Sequence, residues 1–143
     1  MPIQELFITN PPRSVAGWAS LFDPARLPVL ADTAAALEEL REHEDAVDAH
    51  LLADTMVVDP LMTLKLLRHV AAMRRGRDQS DPETATEALV MLGITPFFRT
   101  FGTQPTVEQG LAGQDEALAG LRLVLARAHR AARFSLGDRK SVV

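Results

Sequence analysis

An all-α fold, a single bundle of about six helices, is the class that the sequence predicts, and three observations predict it. Alanine and leucine dominate the composition, aromatic residues make up 5% and tyrosine is absent, which favours helix over the pleated surfaces that select β-branched and aromatic side chains. Apolar residues recur at helical spacing over most of the chain. From Leu27-Pro28 onward, start and stop signals alternate: Asp-Pro and Thr-Pro pairs open segments and glycines close them. A length of 143 residues suits one domain with a modest core, and 47% hydrophobic against 24% charged residues argues against wholesale disorder.

Residues 1–24 read as an N-terminal extension. Asn10-Pro11-Pro12 and Asp23-Pro24 interrupt it, because proline turns the residue before it away from the helical region. At most a short helix over Val15 to Leu21 fits there. The domain proper is expected over 25–134. Its first helix runs from Val29 to Glu42, with Leu30, Thr33, Leu37 and Leu40 on one face, and the polar run His43-Glu44-Asp45 ends it. A second spans Ala46 to Met56, with Val47, Leu51 and Leu52 inward.

Asp59-Pro60 is the cleanest start signal. The carboxylate can accept from unpaired amides, and proline at the first helical position gives up a donor that would be orphaned anyway. The helix from Leu61 to Arg75 carries Met62, Leu66, Val70 and Met73 on one stripe, with Arg74, Arg75 and Arg77 near its negative pole and Gly76 as a stop. Asp81-Pro82-Glu83 opens a helix over Pro82–Leu92, closed by Gly93, and Thr95-Pro96 opens a short one over Pro96–Phe101, closed by Gly102. Thr103 to Gly113 reads as loop. A long helix over Gln114–Phe134 then has Leu118, Leu121, Leu125, Ala128 and Ala132 in phase.

Residues 135–143 read as a polar tail. The final six, Asp138-Arg139-Lys140-Ser141-Val142-Val143, match one reading frame of a common sequencing-adapter oligonucleotide, so the tail is expected to be non-native and the reading frame cut short.

Composition also excludes function classes. Without cysteine there are no disulfides, thiolate metal sites or cysteine nucleophiles. Met1 to Ile8 lacks a basic start followed by an apolar run, and no stretch reaches the length of a membrane span, so a cytoplasmic location is expected. A net charge of −4 argues against nonspecific binding to phosphate backbones.

Three segments in order carry a family resemblance: Leu27-Pro28-Val29-Leu30; Leu51-Leu52-Ala53-Asp54 through Asp59-Pro60 into Leu61-Met62-Thr63-Leu64-Lys65-Leu66-Leu67-Arg68; and Thr86-Glu87-Ala88-Leu89-Val90-Met91-Leu92-Gly93. Over residues 25–134 the chain resembles the HDOD family, whose domains open with a Leu-Pro helix, pass through a leucine-rich helix started by Asp-Pro, and then show an Ala-hydrophobic-x-Leu-Gly helix. Val70-Ala71-Ala72-Met73-Arg74-Arg75-Gly76 departs from the family, which has an asparagine-serine pair and an aromatic-glycine turn there. The family's second half, similar to HD phosphohydrolases, would lie beyond Phe134, and Arg127 to Phe134 looks like its beginning. The resemblance implies an incomplete HDOD-like domain: a bacterial signal-transduction or regulatory module that binds protein partners and has no turnover of its own. Truncation would leave an apolar surface on the last helix around Leu121, Val124, Leu125 and Ala128, open to self-association.

No catalytic, cofactor or metal site is expected. HD-type hydrolases clamp two metal ions with a His-Asp dyad and outlying His and Asp, and no His-Asp dipeptide occurs here. His43, followed by Glu44, falls in a polar turn. His50 and Asp54 share a helix face, which a side-chain hydrogen bond explains more simply than a two-ligand metal site. Neighbouring Arg68 disfavours cation binding at His69. His129 matches the first histidine of the HD-like half and without a dyad is structural. The groups Arg68, Arg74, Arg75, Arg77 and Arg122, Arg127, Arg130, Arg133 read as helix-end and solvated-face charge. Phe97, Phe98 and Phe101 follow core spacing. Gly102, Gly110, Gly113 and Gly120 follow no strand and form no phosphate-cradling loop. Two alternatives stay open: a fragment of an HD-type metal-dependent phosphohydrolase, and a helical nucleic-acid-binding module.

Overall fold

The computed structural model describes residues 8–23, 26–76 and 80–141. Among them are eight α-helices: α1 (Val15–Leu21), α2 (Ala31–Glu42), α3 (Ala49–Met56), α4 (Pro60–Met73), α5 (Ala85–Leu92), α6 (Ile94–Thr100), α7 (Val107–Gly110) and α8 (Asp115–Ser141). The fold is all-α, and the extended backbone pairing among the described residues is an isolated parallel bridge between Val29 and Thr106. The chain forms two compact units, Met1–Gly110 and Leu111–Val143.

In the first unit α5 packs against α3 and α4, α2 against α3, and α6 against α5. Leu52 and Met56 of α3, Met62 and Leu66 of α4, and Ala88 and Leu89 of α5 are fully buried. Each large side chain of this kind contributes roughly 1.5–3 kcal/mol on burial. The spacing of Phe97, Phe98 and Phe101 is core spacing, as expected: the Phe97 ring lies 5.2 Å from Phe98 and 5.0 Å from Phe101. Arg41 of α2 closes the end of α6. Its Nη1 and Nη2 donate to the Phe98 and Phe101 carbonyls at 2.7 and 2.6 Å, which satisfies carbonyls that a helix terminus leaves unpaired.

The segment Leu27 to Ala31 is held by polar groups from distant elements. The Val29 amide donates to the Pro105 carbonyl at 2.8 Å, and the Val29 carbonyl accepts from Val107 at 2.9 Å. Leu30 at the start of α2 has no capping side chain of its own. Asp59 Oδ2 accepts from the Leu30 amide at 2.9 Å, and Glu108 Oε2 accepts from the Ala31 amide at 2.8 Å. Asp59 also performs the role that Asp59-Pro60 predicts, since its Oδ1 accepts from the amides of Leu61 and Met62 at 2.9 and 3.2 Å.

Several boundaries differ from expectation, each for a local reason. A 3₁₀ turn over Glu44–Ala46 precedes α3, and Asp48 caps that helix by accepting from Leu51 at 2.8 Å. The inward stripe of α3 is then Leu52, Ala53 and Met56, and Leu51 faces out at 46% exposure. On α4 the i+4 row through Val70 continues to half-buried Arg74, so Met73 is exposed. α5 begins at Ala85 because Thr84 accepts from Glu87 N at 3.1 Å while Glu87 Oε2 accepts from Glu83 N, close to a capping box. α6 begins at Ile94 and takes Pro96 into its first turn, where no amide is needed. Gly93 joins α5 and α6 at φ 90° and ψ 153°, a region essentially restricted to glycine.

The expected loop over Thr103–Gly113 contains α7. A reciprocal capping box makes it: Gln109 N donates to Thr106 Oγ1 at 3.1 Å, and Thr106 N donates to Gln109 Oε1 at 3.2 Å. The second unit is chiefly α8, 27 residues long, or about 40 Å at 1.5 Å per residue. It runs past Phe134 to Ser141, so over 135–141 the backbone is helical where the separate tail over 135–143 is expected, and Val142 and Val143 lie outside the described residues. No proline interrupts that stretch, and Ser135 Oγ donates to the Ala131 carbonyl at 3.1 Å without ending the helix.

Candidate functional site

α4 presents a row of basic residues at helical spacing. Lys65, Arg68, His69 and Ala72 lie along one side, followed by Arg75 just past the helix end, and this row forms one wall of a cleft of about 630 Å³. The segment from Thr100 to Pro105 forms the opposite wall, and Asp23 contributes the carboxylate. Three basic side chains, Lys65, Arg68 and Arg75, therefore line one cleft in a chain whose net charge is −4.

Lys65 sits at the inner end of the row and is 2% exposed. Its Nζ donates to the Leu27 carbonyl at 2.5 Å and to Gln104 Oε1, so two of its three donors are used. Burial lowers the pKa of this amine, and the Asp59 carboxylate acts in the opposite sense. Arg68 is steadied from α1, its Nη1 donating to the Ala19 carbonyl at 2.5 Å. His69 is half-buried with its ring edge-on to Phe101 at 5.4 Å. Among the described residues neither Arg68 nor Arg75 forms an ion pair. The cleft can hold an anion: guanidinium groups donate in a planar fork that matches carboxylate and phosphate oxygens.

The sequence groups Arg68 with Arg74, Arg75 and Arg77 as helix-end charge. The structure separates them. Arg68 and Arg75 line the cleft with Lys65 and His69, Arg74 is half-buried, and Arg77 lies outside the described residues. Lys65 is the residue that sequence reasoning missed, although a signal existed. It stands three residues after Met62 and beside Leu66, inside the apolar arc of α4.

The histidines are dispersed. His43 is exposed, with Nδ1 3.2 Å from the Glu39 carbonyl. His50 and Asp54 are both exposed on α3, and the hydrogen bond expected between them does not form. His129 is exposed on α8. Among the described residues no three of His, Asp and Glu come together as a metal-binding group.

On α8 every described side chain from Arg127 to Gly137 is exposed. Phe134 is 76% and Leu136 59% exposed, and nearer the N-terminus Leu123 and Val124 are 64% and 61% exposed. Of the expected apolar surface, Val124 and Ala128 are exposed while Leu121 and Leu125 are half-buried. No helix among the described residues is long and apolar enough to cross a membrane. Comparison with protein-family models, with curated proteins and with solved structures finds no match.

Proposed function

We propose that this chain is a non-catalytic regulatory domain of the HDOD type, acting in bacterial cytoplasmic signal transduction by binding a partner protein, with α8 as its recognition element. The observation that carries the reading is the exposure of α8 from Arg127 to Gly137, with Phe134 and Leu136 among the exposed side chains. Apolar side chains displayed along a helix fit the helix-in-groove mode of recognition. The charge of α8 narrows the partner. Between Glu116 and Asp138 the sequence carries Arg122, Arg127, Arg130 and Arg133 and no acidic residue, so a complementary groove is apolar at its floor and acidic at its rim. Support for the HDOD part comes from the segments that carry the resemblance, because they are the caps and core of the first unit: Asp59-Pro60 starts α4, and Leu52, Leu66, Ala88 and Leu89 pack together.

The test is fluorescence anisotropy with a labelled amphipathic peptide, leucine on one helical face and glutamate on the other, against a scrambled peptide of the same composition. The amphipathic peptide is expected to bind saturably and to lose at least tenfold in affinity with Leu123→Asp/Phe134→Asp, which alters exposed positions only. Equal binding of the scrambled peptide would overturn the reading. Steeply salt-dependent binding to duplex DNA would favour the nucleic-acid module, whose support is the same four arginines. Phosphodiester hydrolysis with added divalent metal would favour the phosphohydrolase.

A further inference from the structure

We propose that the cleft along α4 is a binding site for a small organic phosphomonoester, independent of the partner surface on α8. Its walls supply two kinds of contact. Lys65, Arg68 and Arg75 bring positive charge from one helix, and the facing segment adds the hydroxyl of Thr103. Ala72, Phe101 and Pro105 give the same cleft an apolar component, which inorganic phosphate would leave unused. A volume of about 630 Å³ is well within the range of small-molecule sites.

Position within the cleft follows from charge. The negative pole of α4 lies at the Met73 end and opposes an anion beside Arg75. The phosphate therefore sits toward Arg68 and Lys65, with Arg75 closing the outer side. Arg68 is already oriented by the Ala19 carbonyl, so its remaining donors are presented with little loss of side-chain freedom. Lys65 keeps a third donor beyond Leu27 and Gln104.

Isothermal titration of the whole chain with phenyl phosphate, inorganic phosphate and benzyl alcohol tests the proposal. Phenyl phosphate is expected to bind with one-to-one stoichiometry and at least fivefold more tightly than inorganic phosphate, with no saturable binding of benzyl alcohol. Arg68→Gln/Arg75→Gln should weaken it at least tenfold with unchanged helical circular dichroism, while Arg130→Gln/Arg133→Gln on α8 leaves it unchanged. No saturable binding of phenyl phosphate would overturn the proposal. So would binding that survives the α4 substitutions or is lost with the α8 ones. If the folded state does not tolerate the double glutamine variant, Arg68→Lys alone serves, since it keeps the charge but removes the planar fork, and an unchanged affinity would count against the assignment.

Discussion

Lys65 places an ammonium where 2% of the residue meets solvent, and its titration has a definite sign. Burial lowers the folded-state pKa below the ordinary 10.5, with Asp59 acting in the opposite sense, whereas the unfolded chain holds that proton to about 10.4. Between the lowered value and the ordinary one, the unfolded state binds more protons than the folded state. The contribution of Lys65 to stability therefore rises with pH through that window, and below it the amine is charged in both states and adds no slope. The chain has no tyrosine and no cysteine, and its other lysine is Lys140, so few groups compete in the alkaline range. Urea unfolding of the wild type and Lys65→Met from pH 7 to 10 should show the difference moving in favour of the wild type as pH rises. A constant difference would mean that the amine is not desolvated in solution.

Elements here are fastened by caps, and Asp59 serves two of them. Its carboxylate closes the start of α4 and also accepts from Leu30 at the start of α2, while fully buried. Asp59→Ala removes a cap, worth about 0.5–2 kcal/mol, and leaves the Leu30 amide without that partner in a part-buried setting, about 1–3 kcal/mol more. A loss of about 2–4 kcal/mol in chemical denaturation is expected, with Asp59→Asn milder because an amide oxygen still caps; a loss under about 1 kcal/mol would contradict the dual role. The contrast between these two bonds shows what the sequence made legible. The bond to Leu61 spans two residues and is written in Asp59-Pro60, whereas the bond to Leu30 spans 29 and the bond from Ala31 to Glu108 spans 77. The Thr106–Gln109 box was readable in principle, but Pro105, Gly102 and Gly113 around it gave the stronger signal of a loop. Leu51 turned outward because three residues of 3₁₀ turn shifted the phase of α3, which periodicity alone does not register. The α4 wall of the cleft follows from spacing, while the opposing segment from Thr100 to Pro105 depends on tertiary packing.

A net charge of −4 conceals how charge is distributed over the molecule. Cations gather along α4 in the first unit and along α8 in the second, and the stretch from Ala117 to Gly137 contains no acid at all. Net charge argues against a polyanionic ligand for the chain as a whole, yet it says nothing of what either surface attracts. The two units also differ in how they are stabilised. The first has a core of side chains from α2 to α6, whereas every described side chain of α8 from Arg127 to Gly137 is exposed, and a helical stretch without buried side chains is expected to open at lower cost. Hydrogen–deuterium exchange of the monomeric chain, alone and with the acidic amphipathic peptide, tests the claim that α8 is a recognition helix most directly. Slowest exchange is expected in α3, α4 and α5 and fast exchange over 127–137, with the peptide slowing 127–137 selectively. Core-like protection of 127–137 in the free monomer, or no change there when the peptide is added, would contradict it.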